Sequence, residues 1–532
     1  MKLVSVHQML SIEREADAAG LSYDQMMENA GAALAGVIEN LDPAPMIRSV
    51  TALVGPGNNG GDTLIALSIL AESGWNSSAY VVRRGDDPLV SRARQAGARV
   101  IASADDDGFS ELASLLAAAA VLLDGFLGTG TKLPLRGEMP NIIREVNRLL
   151  GGMSSRPYIV AVDCPSGADC DTGEVAGDCI AADLTVTMAA VKQGLLRLPA
   201  FEYLGDLRVV DIGLPPNLPS LRDVQADVAD ARQVSGLIPR RPPESHKGTF
   251  GTVVVAAGSG SYTGAALLAG MAAYRVGAGL VRLAVPSVLH ASLAGFLPEA
   301  TWLLLPHEGG AISQEASQVL LDALPSCTAL LIGPGLGTRP TTQEFLADVL
   351  GRAGGGPKAI GGGAAHATSL PPVVVDADGL KLLARIPAWA ARLPAPAVLT
   401  PHPGEMSVLT GIPKDQIQAD RSAVAARFAD DWGHVVVLKG AFTVIAAPGG
   451  STTVIPVASA ALARAGTGDV LAGIIVGLLG QGVGPFDSAV AGAWIHAQAG
   501  LQAARELGNE ASVLAGDLLD TMAPVMSALR RK

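Results

Sequence analysis

Two glycine-rich loops, each closed by an aspartate and each running into an apolar helix, stand at opposite ends of the chain: Asn58-Asn59-Gly60-Gly61-Asp62 and Gly466-Thr467-Gly468-Asp469. At a helix start, unpaired backbone N–H groups and the positive end of the dipole attract anions, and glycine lets a phosphate come close to them. Two such loops imply two nucleotide-handling domains. The length agrees, because 532 residues exceed what one core usually organises. Aromatic residues are only 4% of the chain while glycine numbers 63, so the core has to be built from Ala, Val, Leu and Ile, as in layered parallel sheets. The expected class is α/β.

A formal charge of −12 argues against a protein that tracks nucleic-acid backbone. Any anionic ligand has to be held locally, by backbone amides and a few Lys or Arg side chains. Cys164, Cys170, Cys179 and Cys327 lack zinc-site or Cys-x-x-Cys spacing and are expected as reduced thiols. The N-terminus reaches Glu13, Arg14 and Glu15 before any apolar run builds up, and the longest apolar run, 470–479, is too short for a bilayer. A soluble, cytoplasmic protein with no membrane partner is expected.

Met26, Met27, Ala30, Ala33, Leu34 and Val37 are spaced as one apolar stripe of a packed helix. Short apolar runs at 50–54, 79–82, 121–123, 158–162, 184–188 and 207–210 alternate with helical stretches, the pattern of a doubly wound parallel sheet. Such sheets bind ligands beyond the carboxyl ends of their strands, where residues 58–62, Asp124 and Asp163 emerge. Gly213-Leu214-Pro215-Pro216-Asn217-Leu218-Pro219 can neither continue a helix nor fill a central strand. This divides the chain into a domain at 1–214, a linker at 215–228 and a second domain at 229–532. The second domain repeats the alternation, with strands expected at 252–256, 280–285, 329–332, 373–375, 397–399, 434–438 and 443–446 and a long helix after Gly468. Residues 351–372, rich in Gly, Ala and Pro, read as a surface excursion.

In the first domain, the turn at 55–62 aims backbone amides at a phosphate and projects Asn and Asp side chains into the same crevice. Asn59, Asp124 and Ser166 could supply hard oxygen ligands to a cation, or the aspartates could simply cap turns and helices. In the second domain, Gly466 to Gly468 form an anion-binding turn, and Asp469 is placed to accept a proton from an attacking hydroxyl. Lys439-Gly440-Ala441-Phe442-Thr443 is either a phosphate-meeting loop or a surface hairpin. Gly333-Pro334-Gly335-Leu336-Gly337 and Thr400-Pro401-His402-Pro403-Gly404-Glu405 also leave strands toward that crevice.

Gln25-Met26-Met27-Glu28-Asn29-Ala30-Gly31, residues 57–62 and Val160-Ala161-Val162-Asp163-Cys164-Pro165-Ser166-Gly167 together resemble the NAD(P)H-hydrate epimerase family over nearly all of the first domain. The resemblance implies a Rossmann-like three-layer fold that interconverts R and S hydrated NAD(P)H. It also implies potassium near Asn59, Asp124 and Ser166, and substrate contacts from Asn58, Asn59, Gly60, Gly61 and Asp62 and from Gly128, Thr129, Gly130, Thr131, Lys132, Leu133 and Pro134. Asp163 matches the family's catalytic aspartate, with Lys132 as a candidate partner.

The second domain resembles the ADP- or ATP-dependent NAD(P)H-hydrate dehydratase family at residues 258–265, 277–281, 333–337, 400–405, 439–443 and 466–473. That resemblance implies a ribokinase-like fold, nucleotide contacts at Lys439, Gly440, Ala441, Phe442, Thr443 and Gly468, hydrate contacts at Ala265, Gly335, His402 and Asp469, and Asp469 as catalytic base. The chain departs from the family pattern at Gly379 and Lys381, where relatives more often carry Ala and Asn. The expected partners are hydrated NADH and NADPH, ADP or ATP with magnesium, and a second copy of the chain. The rival readings are a vitamin-alcohol kinase fused to a nucleotide-binding accessory domain, and a binding scaffold without catalysis.

Overall fold

The computed structural model describes residues 1–85, 87–353 and 369–530. Most of the 351–372 excursion therefore lies outside the described residues. The chain divides into two compact units, Met1–Asp227 and Val228–Lys532.

The first unit is built on seven parallel strands: β1 (Ser49–Val54), β2 (Asn76–Val81), β3 (Arg99–Ala102), β4 (Val121–Gly125), β5 (Tyr158–Val162), β6 (Leu184–Met188) and β7 (Asp206–Val210), in the order β3-β2-β1-β4-β5-β6-β7. This is the doubly wound arrangement, and its order reverses between β1 and β4. Every residue of β1, β4 and β6 is buried, because helices cover both faces of the sheet. The helix Tyr23–Glu39 lays Met26, Ala30, Leu34 and Val37 into the core, as the stripe predicts. Its motif residue Asn29 donates to the Ile212 carbonyl at 2.9 Å, so that part of the sequence signature does structural work.

The segment read as a linker is partly ordered into elements. Pro219–Arg222 forms a short helix whose Ser220 amide donates to Glu15 at 2.9 Å, and Leu218 and Val224 join the first core.

The larger sheet has ten strands among the described residues: β8 (Ala226–Val228), whose last residue opens the second unit, and, within the second unit, β9 (Thr252–Ala256), β10 (Leu280–Pro286), β11 (Thr301–Leu305), β12 (Ala329–Ile332), β13 (Val373–Val375), β14 (Val398–Leu399), β15 (Val435–Leu438), β16 (Val444–Ala446) and β17 (Thr452–Val454). Their order is β8-β17-β16-β15-β14-β13-β12-β9-β10-β11. From β11 to β15 all pairings are parallel; β15, β16 and β17 then form an antiparallel meander. The helix Thr467–Gly480 is buried on nearly all sides. It lies against the helix Ala265–Val276, a close approach that small residues on both make possible.

Candidate functional site

Each sheet brings its chemistry to the carboxyl ends of its parallel strands.

In the first unit, β5 ends at Val162 and the chain turns through Asp163, whose φ of 65° lies in the left-handed region. A non-glycine residue held there commonly marks a functional constraint. Its Oδ1 accepts from Thr187 Oγ1 at 2.9 Å, from the Met188 amide at 3.0 Å and from Lys192 Nζ. Lys192 is 1% exposed and is the cation that neutralises Asp163. Lys132, the partner weighed from sequence, is exposed and makes no such pair. Oδ2 of Asp163 accepts nothing among the described residues and is left for a ligand.

Asp62 and Glu13 feel the same charges. Burial first, then the charges of Asp163 and Glu13, push the Asp62 carboxyl well above its ordinary range. Burial raises Glu13 as well, with Lys192 opposing it. Asp62 lies in the first turns of the helix Asn58–Glu72, whose N-cap Gly57 offers no side chain to its free amides. Arg84 locks the preceding turn, donating to the carbonyls of Gly55 at 3.0 Å and Gly57 at 2.8 Å.

Asp124, near the end of β4, is fully buried. Its two oxygens accept from the Ser166 hydroxyl at 2.5 Å and the Ser166 amide at 2.8 Å. Burial raises its pKa to about 6 against those hydrogen bonds. Asn59 donates to the Leu127 carbonyl at 2.8 Å, while its buried Oδ1 has no partner. An orphaned amide oxygen beside a buried carboxylate with no cationic neighbour is a donor set that suits a hard cation.

In the second unit three neighbouring strand ends converge. Asp376 follows β13, Thr400 follows β14 and Lys439 follows β15. Asp376 is 1% exposed; its Oδ1 accepts from Lys439 Nζ at 2.6 Å and Thr400 Oγ1 at 2.7 Å, and its Oδ2 is buried without a partner. Burial works against the Lys439 charge, yet Asp376 and Glu405 outweigh it and hold the ammonium above the usual lysine range. Glu405 approaches Lys439 at 3.8 Å and accepts from the His402 amide at 3.0 Å. His402 in turn caps its helix by accepting from the amides of Gly404 and Glu405 through Nδ1. Burial lowers its pKa despite Glu405, so the ring is neutral and Nε2 carries the remaining proton.

The helix Thr467–Gly480 points its start at this group. A side chain at Gly468 would begin 3.5 Å from Lys439 Nζ and 3.9 Å from Asp376 Oδ2. One residue on, Asp469 has its pKa raised to about 7, by burial and then by the Asp376 charge, with Lys439 opposing. The helix start is fixed from behind by His496, which meets the Thr467 carbonyl at 2.9 Å and is kept neutral by burial, its pKa lowered to about 4. Ala265 and Gly335 are brought together, since a Cβ at Gly335 would lie 2.9 Å from that of Ala265.

The departures at Gly379 and Lys381 have a local explanation. A Cβ at Gly379 would sit 2.9 Å from Gly333 Cα and 2.9 Å from the Ile332 carbonyl oxygen, so this loop is closed more tightly than alanine fits. Lys381 pairs with Asp378 at 2.9 Å, and Asp378 accepts from the Gly337 amide at 2.9 Å. Sequence reasoning missed the site roles of Lys192, Glu13 and Arg84, and gave Asp376 and Glu405 no role of their own. Asp376 and Lys192 carried a usable signal, a charged residue ending or following a wholly buried strand.

Breaking the first-unit pair has a direct expected result. Lys192→Met strands the Asp163 carboxylate in a buried site and lowers the stability of that unit by about 3 kcal/mol. Chemical denaturation followed by a probe in the first unit checks this; an unchanged midpoint would show the pair to be energetically idle.

Fold and sites define a two-unit α/β enzyme, with a carboxylate-centred crevice in each unit. Residues 253–524 match the family described as NAD(P)H-hydrate dehydratase, and residues 23–194 match that described as YjeF-related protein N-terminus. The chain is 36% identical over 542 residues to the bifunctional NAD(P)H-hydrate repair enzyme Nnr of Moorella thermoacetica, covering 100% of this chain and 98% of that protein. With the enzyme of the same description from Escherichia coli it shares 34% over 516 residues, covering 97% and 92%. Among solved structures it is similar to the ADP/ATP-dependent NAD(P)H-hydrate dehydratase of Bacillus subtilis co-crystallised with ATP/Mg2+, at 31% identity and a TM-score of 0.48, covering 57% of this chain and 98% of that one. The chain belongs to the family of bifunctional NAD(P)H-hydrate repair enzymes. Among the described residues no helix is long and apolar enough to cross a membrane.

Proposed function

We propose that the first unit interconverts the R and S epimers of hydrated NADH and NADPH, and that the second dehydrates the S form at the expense of ADP or ATP. The observation that carries this reading is Asp469, poised near neutral pH at a glycine-lined helix start beside the Asp376–Lys439 pair. Asp469 removes the proton of the C6 hydroxyl while that oxygen attacks the terminal phosphorus of the nucleotide. The C6–O bond then breaks, phosphate leaves with its electron pair, a C5 proton departs, and the C5=C6 double bond is restored. Water leaves poorly from C6 and phosphate leaves well. Lys439 and the amides at 440–443 and 468 hold the phosphates, and Ala265, Gly335 and His402 contact the hydrate; magnesium brought by the nucleotide would supply counter-charge to the phosphates, and the unpaired Asp376 Oδ2 is the oxygen that would face it.

In the first unit, Asp163 takes the C6 hydroxyl proton through its free oxygen, the C6–N1 bond opens to an aldehyde with N1 taking a proton, and reclosure of N1 on the other face of that carbonyl, with return of the proton to oxygen, gives the other epimer; the second carboxylate oxygen stays pinned by Lys192. The turns at 58–62 and 128–134 contact the rest of the hydrate. Asn59 Oδ1, Asp124 and Ser166 would hold a potassium ion, which would supply a positive charge between the loops that carry these residues. The chain works in the cytoplasm, as a homo-oligomer.

The decisive experiment supplies both hydrates with ADP or ATP and follows recovery of reduced-nicotinamide absorbance together with released inorganic phosphate. Stable accumulation of a phosphate ester would instead make the second unit a kinase. For the cation, potassium is expected to raise the melting temperature of the first unit, and Asp124→Asn is expected to remove that response. Equal melting in potassium and in a large organic cation would reject the potassium site.

A further inference from the structure

Arg421 opens the helix Arg421–Trp432, and its guanidinium lies behind the loop at 439–443. Its NH2 donates to the Leu438 carbonyl at 2.7 Å and its NH1 to Gln418 at 2.9 Å, while its Nε is buried with no partner. No carboxylate pairs with it among the described residues. Burial alone lowers its pKa, to about 10, so the group stays charged at neutral pH. It also stands at the positive end of its own helix dipole, the end that favours anions. The neighbouring Asp420 does not relieve this, since its carboxylate is turned to the Ala423 amide at 3.0 Å as the helix cap. A half-buried cation with no carboxylate partner, placed at a helix start, costs stability twice over.

The loop is shaped around this cation. Gly440 has a φ of 148°, and a Cβ there would lie 2.5 Å from Arg421 NH1, so only glycine lets the loop lie flat on the guanidinium. Thr443 then closes the loop, donating to the Gly440 carbonyl at 3.0 Å.

We infer that Arg421 is a positioning residue for the nucleotide, a half-buried guanidinium that seats Gly440 and whose missing counter-charge is the phosphate chain of the bound nucleotide. The inference rests on the reading that nucleotide phosphates meet residues 439–443. Arg421 itself touches no reacting atom; it shapes the loop and sets its potential.

The test uses the full chain and three variants: Arg421→Met, Arg421→Lys and, to probe the underlying reading, Lys439→Met. Arg421→Met is expected to raise KM for both ATP and ADP by about tenfold or more while KM for the S hydrate stays within about twofold. It should also lose the rise in melting temperature that saturating ATP gives the parent. Arg421→Lys, which keeps the charge, should recover most of the nucleotide affinity, a rescue that a purely packing role would not produce. Without nucleotide, Arg421→Met should melt no lower than the parent, because it removes a half-buried charge that no carboxylate pairs. If it misfolds, Arg421→Gln takes its place in the same measurements. Nucleotide KM and ATP-induced stabilisation unchanged in Arg421→Met but lost in Lys439→Met would overturn the role of Arg421 and leave the loop reading standing. Both unchanged would overturn the loop reading itself.

Discussion

Asp469→Asn is expected to reduce nucleotide-dependent dehydration of the S hydrate by about 10²- to 10⁴-fold, the usual worth of a positioned general base. Epimerisation should continue at the parent rate. The substitution keeps the shape of the helix start and its amides, so binding of the nucleotide survives while proton removal does not. In the parent, kcat/KM for dehydration should climb with pH up to about 7 and then level, since the base works only when ionised and burial with Asp376 holds its pKa there. His496 is already neutral over that range and adds nothing to the rising limb. Near-normal recovery of NADH by the Asn variant, or a profile without a limb near pH 7, would remove Asp469 from the role of base.

Asp163→Ala gives the second large effect. Its partners Thr187, Met188 and Lys192 all lie in the first unit, and those of Asp469 in the second, so the two variants should fail independently. In Asp163→Ala the S hydrate is still repaired at the parent rate with ADP or ATP. The R hydrate is consumed only as fast as it epimerises spontaneously, and a mixed substrate gives a fast phase followed by a slow one. The parent carries the same mixture to completion without the slow tail. If the variant consumes both epimers as the parent does, Asp163 is a turn residue and the first unit's chemistry lies elsewhere.

The central parallel strands were legible because they are short runs dominated by apolar residues: 158–162, 252–256 and 329–332 coincide with β5, β9 and β12. The sheet margins were not. Arg99–Ala102 is four residues long and half-exposed, Thr452–Val454 has two threonines in three residues, and Thr301–Leu305, though it carries the apolar run 302–305, is largely exposed or half-exposed at the sheet margin. Loops with their own composition, at 58–62 and 466–469, declared themselves. Residues that act through long-range pairing did not: Lys192 meets Asp163 from 29 positions away and Lys439 meets Asp376 from 63, and only the folded sheet makes them neighbours. Asp376 was seen but read for its packing, because nothing local in the sequence tells that a lysine will reach it.

That reach has a geometric consequence. Asp376 and Lys439 leave strands β13 and β15, which are separated by β14, so their backbones stand two strand intervals, roughly 10 Å, apart. The sheet acts as a ruler whose divisions cannot be altered by sliding, because parallel register is fixed along its whole length. A lysine is the unbranched cation long enough to cross the middle strand, and Thr400 on that strand is small enough to pass beneath while still meeting the same oxygen. The width of this crevice is therefore quantised: selection can change it only by exchanging side chains of different length at these three positions, in steps of a methylene group.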